Sequence, residues 1–127
     1  MPRTSLEVVQ GIHDAWARRE SPGDLIAKDV EYVNPDYAVE TGTRRGRASL
    51  SKVLDVFPDF HLEPERFVEA GETDVVVLGT ARGTGASGVE MVWKQGFVWT
   101  VRDGRAVRMR WFNDHDEALA AAGLGAG

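Results

Sequence analysis

Cysteine is absent from this 127-residue chain, which excludes disulfides, thiol nucleophiles, cysteine-held iron–sulfur clusters and thiolate zinc sites. Long hydrophobic runs are missing as well. No stretch approaches the ~18–20 apolar residues that span a bilayer, and the opening MPRTSLEVV lacks an apolar core followed by a small-residue cleavage site. The expectation is a soluble, cytoplasmic protein with no membrane partner. Positive charge is also scarce: 15 Lys and Arg stand against 20 Asp and Glu, for a net charge of −5. That balance disfavours nucleic acid and anionic membrane surfaces. The basic clusters, Arg44-Arg45-Gly46-Arg47 and Arg102 to Arg110, are short and flanked by carboxylates. The histidines His13, His61 and His115 are scattered without paired metal-ligand spacing, so neither a metal nor another cofactor is expected.

What the chain does contain is a globular composition, 43% apolar and 28% charged, with four Trp. Its length predicts a single domain over residues 1–127, with an ordered core of about 5–123. Residues 4–19 read as a helix. Thr4 and Glu7 have capping-box spacing, and Leu6, Val9, Ile12, His13 and Trp16 form one apolar stripe. Ser21-Pro22 starts a second, short helix through Ala27. A strand over 29–33 ends in the Asn34-Pro35-Asp36 turn, followed by an extended piece within 37–45. Helical spacing returns over 47–57 and stops at Pro58.

The remainder reads as strands near 60–69, 73–82, 88–101 and 105–113, joined by glycine-bearing turns into an antiparallel meander. Pro64 marks the first as an edge or irregular strand. A short helix over 114–122 closes the chain. Helices segregated from strands in this way predict an α+β fold.

Strand parity separates two faces. Val89, Met91, Trp93, Gln95, Phe97, Trp99 and Val101 share one side of the third strand. Glu90, Val92, Lys94, Gly96, Val98 and Thr100 share the other. In the last strand Val107, Met109 and Trp111 fall on the aromatic side, against Ala106, Arg108, Arg110 and Phe112. Fourteen residues is long for a strand, which predicts a bulge, with Gly96 the candidate position. The aromatic side should pack beneath the helices. Gln95, Asn113, His13 and Tyr32 are placed to meet the indole donors or a ligand. The mixed side, with Val92, Val98, Thr100 and Phe112, offers a dimer interface.

Gly83-Thr84-Gly85-Ala86-Ser87-Gly88 matches G-x-G-x-x-G, but a strand pattern follows it where dinucleotide binding requires a helix. It reads as a hairpin connection. Asp114 and Glu117 again have capping-box spacing. His13 lies in the apolar stripe of its helix and would act as an acid or base if it reached a cavity.

Taken together, Val8-Val9-Gln10, Tyr32-Val33-Asn34-Pro35, Gly46-Arg47, the segment Val101 to Val107 around Gly104, and Trp111-Phe112-Asn113-Asp114 resemble SnoaL-like domains of the nuclear-transport-factor-2-like superfamily, over roughly residues 5–123. The resemblance implies a cone of strongly curved, mixed or antiparallel sheet packed against N-terminal helices around an internal pocket, often in a homodimer. In the ketosteroid isomerase relatives the general base would fall near Asn34, the oxyanion-hole Tyr near Ile12 and the protonated Asp near Gly96. None of the three groups is present, so steroid isomerisation is not expected. The polyketide-cyclase base would match Asp114. The leading expectation is therefore binding of a small apolar or aromatic molecule by Trp16, Tyr32, Trp93, Phe97, Trp99, Trp111 and Asn113, in a homodimer without cofactor. The alternatives are a cofactor-independent lyase, isomerase or cyclase using Asp114, His13 and Asn34, and a protein-interaction domain.

Overall fold

Thr4 and Glu7 form the capping box that their spacing predicts. The Glu7 amide donates to Thr4 Oγ1 at 3.1 Å, and the Thr4 amide donates to Glu7 Oε1 at 3.0 Å. This satisfies two of the amides that every helix start leaves unpaired. The helix that follows, α1 (Ser5–Ala17), buries Val8, Val9, Ile12, His13 and Ala15 along one stripe. These coordinates are a computed structural model that describes residues 4–34, 42–46, 61–84 and 88–124. The helix expected over 47–57 and most of the extended piece before it lie outside the described residues.

Where a second helix was expected through Ala27, there is only a 3-10 turn, Gly23–Leu25. The chain is already extended at Ile26, so strand β1 (Ile26–Asn34) starts earlier than its turn-bounded pattern suggested. The other strands are β2 (Gly42–Arg45), β3 (His61–Ala70), β4 (Asp74–Thr84), β5 (Glu90–Arg102) and β6 (Arg105–Phe112). Helix α2 (His115–Ala121) follows. The glycine-rich segment joins β4 to β5, with Thr84 paired to Glu90, so no helix start stands there to receive a pyrophosphate.

The six strands form one sheet in the order β2-β1-β6-β5-β4-β3. All neighbours are antiparallel except β1 and β6, which run parallel. This corrects the expectation of a strongly curved cone. Closing a sheet requires its two edge strands to pair, whereas here β2 and β3 stand at opposite, separate edges, and the sheet is open. The β3 edge carries Pro64 and a register shift between Pro64 and Arg66. Both features keep an edge strand from accepting further partners.

Two clusters flank the sheet. On the inner face, Val8, Val9 and Ile12 of α1 pack with Val30, Tyr32, Val75, Val77, Phe97, Trp99 and Met109. Burial of each such aliphatic side chain is worth roughly 1.5–3 kcal/mol. On the outer face, Ala118 of α2 packs with Val76, Leu78 and Val98. Gly96 is the point of closest approach, because a Cβ there would lie 2.5 Å from the Ala118 Cβ. The bulge expected at Gly96 is not there, since β5 pairs with β4 without interruption through that residue. The irregularity lies later, where Thr100 pairs with Arg108 but Val101 with Ala106. That shift reverses the expected parity at one end of β6. Ala106, assigned to the mixed side, is wholly buried in the inner cluster.

Candidate functional site

The inner face of β5 runs from a sealed floor to an open end. Trp99 is 0% exposed, Phe97 4% and Gln95 5%; Trp93 is half-buried and Met91 rises to 48%. Helix α1 covers the buried end, where the His13 ring lies 5.3 Å from Trp16, 5.6 Å from Phe97, 5.8 Å from Trp99 and 5.9 Å from Phe67. The Trp16, Phe67 and Trp99 contacts are edge-on, with interplanar angles of 77°, 76° and 83°, a favoured geometry for aromatic pairs.

Three indole donors of this face are engaged internally. Trp99 Nε1 donates to His13 Nε2 at 3.0 Å, Trp93 Nε1 to Gln95 Oε1 at 2.7 Å, and Trp111 Nε1 to Asn34 Oδ1 at 2.8 Å. A buried indole requires such an acceptor. Since His13 Nε2 accepts, the neutral ring carries its proton on Nδ1. Burial pushes the His13 pKa down to about 3, because a charged imidazolium would be stripped of water. At neutral pH its Nε2 lone pair is held by the indole and the ring takes up no proton, so the geometry gives His13 a structural role rather than that of an acid or base.

The remaining candidate residues divide by location. Tyr32 is buried in the core, while Trp16 and Trp111 are half-buried at its border. Asn34 is half-buried at the end of β1, and Asn113 is exposed beyond β6. Asp114 is exposed and caps α2, with its Oδ1 accepting from the Glu117 amide at 2.9 Å. That helix lies on the outer face, across the sheet from His13. The structure therefore brings His13, Trp16, Phe97 and Trp99 together and leaves Asp114 apart from them. His115, at the start of α2, meets the Gly79 carbonyl through Nε2 at 2.8 Å and ties the helix to β4.

Phe67 was absent from the sequence-based set. Leu62 and Phe67 are five residues apart and so fall on opposite sides by simple alternation. The register shift after Pro64 nevertheless pairs both with inner-face positions of β4, Ala81 and Val77. The signal was Pro64 itself, read as an irregularity but not carried through to the residues beyond it. Among the described residues no group of three or more His, Asp or Glu is placed to hold a metal ion. No described helix is long and apolar enough to cross a membrane.

A family model described as "SnoaL-like domain" matches residues 9–109. The chain belongs to the SnoaL-like family. Its fold is of the nuclear-transport-factor-2-like kind. Among solved structures it is similar to TerC, crystallised with polyporic acid, at 28% identity and a TM-score of 0.73, covering 94% of this chain and 96% of that one. It is also similar to a nuclear-transport-factor-2-like protein of unknown function from Burkholderia pseudomallei, at 31% identity and a TM-score of 0.72, covering 91% and 95%. A protein from Catenulispora acidiphila with a ketosteroid isomerase-like fold, in complex with trimethylamine, shares the fold at 20% identity and a TM-score of 0.67, covering 94% and 95%. No curated protein matches this SnoaL-like chain.

Proposed function

We propose that this SnoaL-like chain binds a small apolar or aromatic molecule on the inner face of its sheet, at the open end of the aromatic strip. The observation that carries this reading is the gradient along β5, from wholly buried Trp99 to half-buried Trp93 and exposed Met91. Such a gradient offers an apolar floor and a wall of rings, with an entrance at one end, the arrangement ligand sites favour. In this reading Trp93 and Trp111 form the contact wall, while Trp16, Phe97, Trp99 and Tyr32 shape it from the buried end. Asn34 and Asn113 lie toward its border. Similarity to TerC, crystallised with polyporic acid, supports a small organic ligand.

Acid–base chemistry is the weaker reading. Asp114 is committed to its helix cap, and His13 is neutral and held by Trp99. A homodimer belongs to the proposal, but the expected centre of its interface changes. Val98 is buried beneath α2 and Phe112 packs there too, whereas Val92 remains 59% exposed. Native mass spectrometry of the full chain with a panel of neutral aromatic compounds tests both points. The expected result is one ligand per chain on a dimer, with tryptophan fluorescence changed on binding. A panel without a single binder overturns the ligand reading, and a monomer at micromolar concentration overturns the dimer.

A further inference from the structure

Gln95 and the neutral His13 are the buried polar side chains of the described core, and Gln95 is 5% exposed on a face otherwise built of rings and aliphatic groups. Its orientation follows from its neighbour. An indole is a donor only, so the atom facing Trp93 Nε1 is the carboxamide oxygen. Nε2 is then left with two N–H donors, and no described residue accepts from them. Arg110 Nε, on the opposite face, is sealed in without a partner among the described residues; on the inner face the Gln95 amide holds two N–H donors with no described acceptor. Among the described residues its setting leaves room on the β6 side only. Strand β6 ends at Phe112, which pairs with Gly96, so no β6 residue stands beside Gln95. On the other side its β4 partner is Gly79, over which the Glu63 carbonyl and Leu62 Cδ1 pack where a Cβ would stand.

We propose that Gln95 is the specificity-determining residue of the inner face, donating from Nε2 to a carbonyl oxygen of a neutral, flat aromatic ligand. The inference rests on the binding reading above and adds the chemical class of the ligand. Three indoles have their N–H groups engaged and provide ring faces rather than donors. The neighbouring inward positions, Val75, Val77, Ala81, Trp93, Phe97 and Trp99, carry no charge. A ligand carboxylate held among these positions would lose its water without gaining a cation from β4 or β5, which is unfavourable. A carbonyl oxygen loses little and gains one hydrogen bond, worth about five-fold in affinity.

Isothermal titration of the full chain with fluorene, fluorenone and fluorene-9-carboxylate tests this, since the first two differ only in the carbonyl oxygen. The native chain is expected to bind fluorenone about five-fold more tightly than fluorene, and the carboxylate most weakly. Gln95→Met should abolish the preference, with fluorenone and fluorene binding at the same level as each other. Because that change orphans the Trp93 donor, the double variant Gln95→Met with Trp93→Phe is measured beside it, with circular dichroism reporting the fold. Equal binding of fluorene and fluorenone by the native chain, or a preference that survives in both variants, overturns the role of Gln95 and leaves the binding reading standing. Failure of the native chain to bind either scaffold overturns both.

Discussion

The Trp99 indole and the His13 imidazole meet 3.0 Å apart beneath α1, where the His13 Nε2 lone pair supplies the acceptor that the buried indole needs. This pairing has a thermodynamic signature. The His13 pKa falls from 6.5 in the unfolded chain to about 3 in the native one, through burial. Between those values the unfolded state binds a proton that the native state refuses. Stability conferred by the neutral ring is complete above pH 6.5 and is lost as pH falls toward 3, at up to about 1.4 kcal/mol per pH unit. Replacing His13 by Gln keeps an oxygen to accept from Trp99 but removes the titration. In urea unfolding between pH ~4 and ~6.5, His13→Gln should therefore show a flatter pH dependence than the native chain, even if its absolute stability is lower. Identical slopes would remove His13 from the acid sensitivity of the fold.

Within single elements, alternation and helical spacing went far. The capping box of α1, its apolar stripe, the inward run from Trp93 to Trp99 and the cap of α2 all follow from spacing alone. Legibility stopped at the register shifts. One places Ala106 in the core, and another brings Phe67 to His13. Two-residue periodicity has no means of anticipating an inserted residue, because the bulge is set by the partner strand. Nor does spacing tell which acceptor each indole finds, since His13 and Trp99 are 86 residues apart in sequence. Asp114 illustrates the opposite case, where a local role was legible and competes with a functional one. Removing the cap by Asp114→Ala should cost about 1 kcal/mol, within ~0.5–2, in denaturant unfolding. It should leave the affinity for an aromatic ligand unchanged, because α2 begins on the outer face. A fold-intact variant that no longer binds ligand would place Asp114 in the site instead.

At the scale of the whole molecule, the faces were readable and the neighbours were not. Parity reports which residues share a side of a sheet. It carries no information on whether β1 lies beside β6, in which direction it runs, or whether the two edges ever meet. The open order β2-β1-β6-β5-β4-β3 is a non-local outcome, and the cone expected from resemblance overstated closure for that reason. Openness has a consequence for how stability is distributed. Strands β4 and β5 lie inside the sheet and are covered on both faces, by α1 on one side and α2 on the other. Val75, Val76, Val77, Leu78, Phe97, Val98 and Trp99 are accordingly all buried. The edges lack this protection: β2 is four residues long, and β3 alternates between exposed and half-buried positions. Native-state hydrogen exchange should follow that order, with amides of residues 75–78 and 97–99 exchanging only through global unfolding. Amides of 42–45 and the outer rungs of 61–70 should exchange through local opening, with protection at least ~100-fold lower, equivalent to roughly 3 kcal/mol. Equal protection at edges and centre would mean that the sheet opens as one unit and that its free edges are held by contacts beyond those of the ladder.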